Sequence, residues 1–164
     1  MIRPATRADA RGIAEVHVRT WQAAYRHAFP AELLDSLSIE EREARWRDQG
    51  LADSAAETLV AERAGRVVGF ASAGPSRDPD CDGELWGIYV EPEEWGSGTG
   101  AALLDAALER LRAAGFREAI LWVLGDNPRA RRFYEKHGWS PDGTEKDGVH
   151  LDTEVHEVRY RRIV

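Results

Sequence analysis

Three glycines alternate in Trp95-Gly96-Ser97-Gly98-Thr99-Gly100, directly ahead of a segment with helical periodicity. Glycine lets the backbone come close to a ligand, and the first N–H groups of a helix have no partner within it. The helix dipole adds to this, so the turn attracts anions, with a pyrophosphate as the obvious occupant. A purely structural tight turn is the competing reading. A P-loop is excluded because no Gly-Lys-Ser/Thr sequence is present. A dinucleotide fingerprint is formally matched by Gly96, Gly98 and Ala101, with Glu118 about 20 residues further on. Two features oppose it: Glu91-Pro92-Glu93-Glu94 separates the preceding strand from the glycines, and Glu118 begins the next strand rather than ending it.

The elements that must position this turn follow from periodicity. A short first strand is expected around Met1 to Arg3, then a helix from Thr6 to Asp9 onward with Ile13, Val16, Thr20 and Ala24 at helical spacing. Trp21 and Tyr25 share one edge of that helix. Further helical stretches are expected after Pro30 and from Ser38, where Ser-Ile-Glu-Glu has capping-box form. Thr58 to Ala61 and Val67 to Ala73, joined by Ala64-Gly65, read as a hairpin. Gly74 to Gly83 reads as a loop, and Glu84 to Val90 as the strand before the glycine turn.

From Gly98 to Ala114 the apolar residues Ala101, Leu104, Ala107, Leu108 and Leu111 keep a helical period, and Gly115 suits the helix end. Ala119 to Leu124 is a continuous apolar run, as in a strand covered on both faces, so the unit is strand, helix, parallel strand. Asn127-Pro128 supplies an N-cap and a first-turn proline for a helix ending near His137-Gly138. The tail reads as two Asp-Gly turns and a strand near Val155 to Arg162, giving an α/β fold with a mixed sheet whose edge order is not readable.

With 164 residues, 43% hydrophobic and 31% charged, the chain suits one compact domain, taken as 1–164, that needs no metal to fold. A net charge of −7 argues against general nucleic-acid binding and mildly suits a cationic substrate such as an amine. Cys81 is the lone cysteine, so an intrachain disulfide and a thiolate zinc site are excluded; its neighbours Asp80 and Asp82 should raise its pKa. No apolar run approaches a membrane span and the start lacks a secretory pattern, so the expectation is a cytoplasmic protein.

Trp95 to Gly100, with the strand Leu85 to Val90, the helix to Ala114 and the block Leu121 to Trp139, resembles the GNAT superfamily of N-acetyltransferases. That family's acyl-CoA motif has the form Gln/Arg-x-x-Gly-x-Gly/Ala, matched here except at Trp95. The resemblance covers the core from about Thr58 to the C-terminus, and the helical region around Trp21 and Tyr25 more loosely. It implies a GNAT-like fold in which central parallel strands splay around the pantetheine arm, flanked by helices. It also implies transfer of an acetyl group from acetyl-CoA to a primary amine of a small molecule or peptide, by direct attack in a ternary complex. A non-catalytic acyl-CoA-binding or regulatory module of the same fold is the alternative, and by analogy alone a homodimer is allowed for.

Acyl transfer needs a neutral amine, an oxyanion donor and a proton for the leaving thiolate. By the resemblance, the Val90 N–H polarises the thioester carbonyl and Tyr134 is the general acid, its phenol protonated at neutral pH. Glu84 is the candidate base and a substrate contact, with His17 a further candidate. Tyr89, Val90, Trp95, Gly96, Ser97, Gly98, Thr99, Gly100, Asn127, Ala130 and Phe133 form the acyl-CoA set. Asn127 as a plain helix cap and Tyr134 as a core aromatic stand beside those roles. Trp21 and Tyr25 wall the acceptor site or pack in the core, and Arg129, Arg131 and Arg132 reach CoA phosphates or form a solvated face.

Overall fold

The computed structural model describes residues 1–53 and 55–164. Seven strands form one sheet: β1 (Ile2–Pro4), β2 (Glu57–Arg63), β3 (Arg66–Pro75), β4 (Gly83–Val90), β5 (Glu118–Leu124), β6 (Ser140–His150) and β7 (Thr153–Ile163), in the order β1-β2-β3-β4-β5-β7-β6. Helices α1 (Ala10–Ala24), α2 (Ala31–Asp35) and α3 (Ile39–Arg45) precede β2; α4 (Thr99–Ala113) joins β4 to β5, and α5 (Pro128–Lys136) follows β5. Only the β4–β5 pair is parallel, so the sheet is mixed. Among the described residues no helix is long and apolar enough to cross a membrane.

Each face of the sheet has its own cover. Leu103, Leu104, Ala107, Leu108 and Leu111 of α4 are buried with Leu85, Val90, Leu121 and Val123, and Tyr134 of α5 joins that core. Gly69 permits this approach, because a Cβ there would lie 3.0 Å from the Leu103 side chain. On the opposite face Ile13 and Val16 of α1 pack on Val60 and Phe70, and Phe29 and Leu34 pack on Leu124 and Val155. Asp9 anchors the start of α1, accepting both Arg3 nitrogens at 2.8 Å and the Thr6 N–H at 2.7 Å.

The central pair is the unusual one. β4 and β5 pair at Gly83↔Ala119 and Glu84↔Ile120 and nowhere beyond, although β4 continues to Val90 and β5 to Leu124. Meanwhile β4 stays paired to β3 as far as Gly69↔Val90, and β5 stays paired to β7 as far as Leu124↔Glu157. The sheet therefore divides into two well-bonded halves that part above Glu84. A register shift between Ser72 and Ala73 lies beside that vertex, where a bulge bends and twists a strand pair.

The C-terminal hairpin corrects the expected two Asp-Gly turns. β6 runs through both, Asp142-Gly143 falls at a register shift against β7, and the reversal is made by Leu151 and Asp152, both at positive φ. An Asp-Gly pair is a local preference, and cross-strand bonding overrides it here. The loop at 76–82 is tied to this hairpin by Arg159, which is buried and bonded to Asp78, Asp80 and Asp142. The Cys81 thiol is pushed up mainly by burial and only slightly by Asp82, whose carboxylate turns to the Arg117 and Glu118 N–H groups.

Two outcomes follow for stability. Arg159→Leu leaves Asp78 without its cation and Asp80 and Asp142 with Arg161 alone, and should cost about 1–3 kcal/mol in urea denaturation. Asp9 is lowered from 3.8 to about 2, chiefly by Arg3. Because its folded value lies below its unfolded one, its contribution is complete above about pH 4 and disappears as pH falls towards 2. Asp9→Asn should flatten the stability curve across that window.

Candidate active site

The parting of β4 and β5 exposes backbone that a sheet would normally consume. Glu91 N–H donates to Val68 O at 2.9 Å, so strand alternation turns the Val90 N–H and C=O away from β3, towards the gap. The Val90 carbonyl is taken by two side chains, Thr20 Oγ1 at 3.1 Å and Trp95 Nε1 at 2.8 Å. Its N–H faces the gap. Glu91, also buried, accepts from Arg19 at 2.8 Å and so fixes α1 against the end of β4.

Beyond β4, Pro92–Glu94 form a single helical turn leading into the glycines. Gly96 and Gly98 take φ of +83° and +92°, which other residues adopt only under strain. The N–H groups of Gly98, Gly100 and Ala101 have no hydrogen-bond partner among the described residues. The Ser97 and Thr99 hydroxyls bond each other at 2.8 Å, and Thr99 N–H donates to Ser97 Oγ at 3.3 Å, so these side chains rigidify the turn from within. An array of free N–H groups at the head of a 15-residue helix fits a pyrophosphate.

Trp95, the departure from the family motif, has a structural task. Besides reaching Val90, its ring carries the Arg129 guanidinium at 3.4 Å from the centroid. Arg129 has no ion pair or hydrogen bond among the described residues, which leaves its charge beside the glycine turn. Arg131 is different: it bonds Tyr160 Oη and Gly125 O and is occupied within the fold. Arg132 is exposed on the surface of α5.

On the β5 side, Asn127 caps α5 by accepting the Ala130 N–H at 3.1 Å. The cap expected from sequence is therefore present, and the Asn127 side chain lies near enough to the Tyr25 phenol to oppose in part the effect of burial on it. Phe133 lies 3.6 Å from where a Gly100 Cβ would be, packing α5 against the start of α4. Tyr134 is 8% exposed and stacks edge-on with Phe133 and Trp139, yet its hydroxyl has no partner among the described residues. Burial, reinforced by the nearby Tyr25 and Tyr89 phenols, pushes Tyr134 above the ordinary tyrosine range.

Tyr89 was expected to contact acyl-CoA. Its ring instead faces α1, 4.7 Å from the His17 ring and 5.2 Å from that of Phe70, and its backbone bonds on the β3 side. Trp21 and Tyr25 join it, their rings 4.9 Å apart, with Phe29 5.4 Å from Trp21. The Trp21 Nε1 is buried without a proper hydrogen bond, although it is near enough to Tyr89 to oppose slightly the effect of burial on that phenol.

The two expected bases fare differently from their assigned roles. Glu84 is 1% exposed at the vertex, and both its oxygens accept from Arg77, through the Arg77 backbone N–H at 2.9 Å and its guanidinium. A carboxylate so engaged is poorly placed to take a proton. His17 is pushed down to about 3 by burial and by Arg42 and Arg45, far below the neutral range that suits a general base. Thr20, Arg42 and Glu157 are brought to this region without any sequence motif to mark them. A surface hollow of about 390 Å³ beside Gly74, Arg110 and Phe116 lies at the other end of the sheet, and its one ion pair, Arg110–Glu57, is already made.

The family model described as Acetyltransferase (GNAT) family matches residues 15–139, and the chain belongs to that family. It is similar to an uncharacterized N-acetyltransferase, YuaI, of Bacillus subtilis, at 34% identity over 92% of this chain and 84% of that protein. A mycothiol acetyltransferase of Beutenbergia cavernae is 33% identical over 79% of this chain, which spans 43% of that enzyme's length. The PaiA N-acetyltransferase of Thermoplasma acidophilum, solved with coenzyme A, shares the fold with a TM-score of 0.77 at 20% identity, covering 100% of this chain and 98% of that one. The protein is thus an acetyl-CoA-dependent acetyltransferase with acetyl-CoA as co-substrate.

Trp95→Phe keeps a ring for Arg129 but removes the donor to Val90. It should cost about 1 kcal/mol of stability in urea denaturation, and raise the KM for acetyl-CoA severalfold in a thiol-release assay.

Proposed function

We propose that the protein acetylates a primary amine of a small molecule or peptide, the amine attacking acetyl-CoA directly within a ternary complex. The observation that carries this reading is the gap between β4 and β5, to which the Val90 N–H turns, and the Tyr134 hydroxyl, without a hydrogen-bond partner among the described residues, supports it. Gly98, Gly100 and Ala101 hold the pyrophosphate through their N–H groups, with Arg129 on Trp95 adding a cation. The pantetheine arm lies along the free edge of β4 towards Asn127, and Ala130 and Phe133 close it from α5.

As the amine nitrogen bonds to the thioester carbon, the Val90 N–H stabilises the oxyanion. The C–S bond then breaks, and Tyr134 gives its proton to the departing thiolate. Its phenolate recovers the proton that the nitrogen sheds on becoming an amide. Glu84 shapes the vertex through Arg77 and takes no proton in this reading. Trp21, Tyr25 and Tyr89 wall the acceptor: the first two come from α1 and its C-terminal end, and Tyr89 faces α1 from β4, on the face of the sheet opposite α4.

Thiol release from acetyl-CoA across an amine panel, paired with calorimetry, tests the proposal. Tyr134→Phe should lower turnover at least about 100-fold while acetyl-CoA binding changes little. Because burial raises the Tyr134 phenol, wild-type turnover should show no alkaline fall below about pH 10. Undiminished turnover in Tyr134→Phe defeats the assignment. Acetyl-CoA binding with no thiol release on any amine favours the non-catalytic acyl-CoA-binding module.

A further inference from the structure

Two charged side chains on the α1 side of the sheet are incompletely paired, Arg42 with no carboxylate and Glu157 with long contacts alone. Arg42, on α3, is half-buried and has no carboxylate partner among the described residues. Its hydrogen bonds go to the His17 ring, 3.3 Å from Nε2, and its guanidinium lies 5.7 Å from the centroid of Trp21. His17 supplies no compensating charge, and Arg45 adds a second cation nearby. A partly desolvated guanidinium beside another cation is a site for an anion, and its planar fork suits a carboxylate.

Glu157 has the opposite shortage. Its side chain is 13% exposed, yet it accepts no hydrogen bond among the described residues, and its ion-pair contacts are long: 3.6 Å to His150 Nε2 and 3.9 Å to Lys146 Nζ, both on half-exposed side chains. The buried carboxylates Asp9, Glu84 and Glu91 each accept from an arginine at hydrogen-bond distance. Glu157 stands on β7 opposite Leu124, the last residue of the splayed strand, and lies near Tyr25 and Tyr89. Trp21 connects the two: Arg42 lies over its ring, and the His150 ring beside Glu157 is 6.5 Å from it, edge-on.

We propose that the acceptor carries a carboxylate as well as its amine, the carboxylate bound by Arg42 and the ammonium by Glu157, with Trp21, Tyr25 and Tyr89 lining the span between them. This rests on the acetyl-transfer reading above and adds the class of acceptor to it. Glu157 draws the ammonium to the Leu124 end of the gap, where its first proton passes to solvent before attack. The neutral nitrogen then attacks as described, so the two protons lost by nitrogen go to solvent and to the Tyr134 phenolate. Arg42 fixes the other end of the molecule and takes no part in bond making.

The probes are glycine, β-alanine, γ-aminobutyrate and δ-aminovalerate, a set of L-α-amino acids, and the carboxamide of each. Thiol release gives kcat/KM for every acid and amide. At one or more chain lengths the acid should exceed its carboxamide by about tenfold or more. Arg42→Gln should bring that ratio to about one, Arg42→Lys should restore part of it, and Glu157→Gln should lower kcat/KM for acid and carboxamide alike. The acid-to-amide ratio is taken within one preparation, so partial unfolding of a variant does not mimic the result. Equal kcat/KM for acids and carboxamides in the wild type, or a preference that survives Arg42→Gln, overturns the proposal. If no amine releases thiol, the acetyl-transfer reading fails first, and calorimetric titration of the same acids into coenzyme A-saturated protein decides this one. Binding that Arg42→Gln abolishes supports it, and no binding overturns it.

Discussion

Everything at the centre of this molecule depends on two hydrogen-bonded strands ceasing to be neighbours. β4 and β5 hold each other only at Gly83–Glu84 and Ala119–Ile120, and past that point each is supported by its outer partner alone. Unpaired backbone in a sheet interior is costly unless something else satisfies it. Thr20 and Trp95 do so for the Val90 carbonyl, and the Val90 N–H faces the gap. The vertex is tied to the 76–82 loop by buried Glu84 and its exposed partner Arg77, and the outer halves are covered by α4 on one face and α1 on the other.

This arrangement separates two kinds of recognition. On the α4 side the contacts offered are mostly backbone N–H groups and glycines, which bind phosphate without demanding a particular side chain. On the α1 side the surface is aromatic rings with isolated charges, from His17, Trp21 and Tyr25 on α1, Arg42 on α3 and Glu157 on β7. The first side is suited to one invariant molecule and the second to discrimination among many. The two meet at Tyr89 and Val90, adjacent residues whose side chain and backbone, respectively, belong to different halves of the site.

Much of the scaffold was legible from residue order because it follows local rules. The helix after Gly98, the apolar run 119–124, the Asn127-Pro128 start of α5 and the Ala64-Gly65 reversal each reflect periodicity or turn chemistry. The strand-helix-strand pattern pointed to the parallel pair and the family resemblance to its splay, whereas the pairing of β7 between β5 and β6 depends on contacts between distant segments. The same limit applies to the site. Tyr134 and the glycines lie in recognisable blocks, but Arg42 and Glu157 are 115 positions apart with no local pattern, and only folding around Trp21 relates them. Glu84 shows the converse, since its place in the strand suggests a free base and the loop residue Arg77 occupies it.

Trp95 carries a consequence for how this chain tolerates substitution. Its indole bonds the end of β4 and seats Arg129, while Thr20 shares the same carbonyl from α1. Placing the glutamine or arginine of the family motif at position 95 would remove the aromatic platform under Arg129 and move the donor off a rigid ring. Positions 20, 95 and 129 therefore act as one unit: a change at any of them alters what the other two hold in place, although they are far apart in the chain.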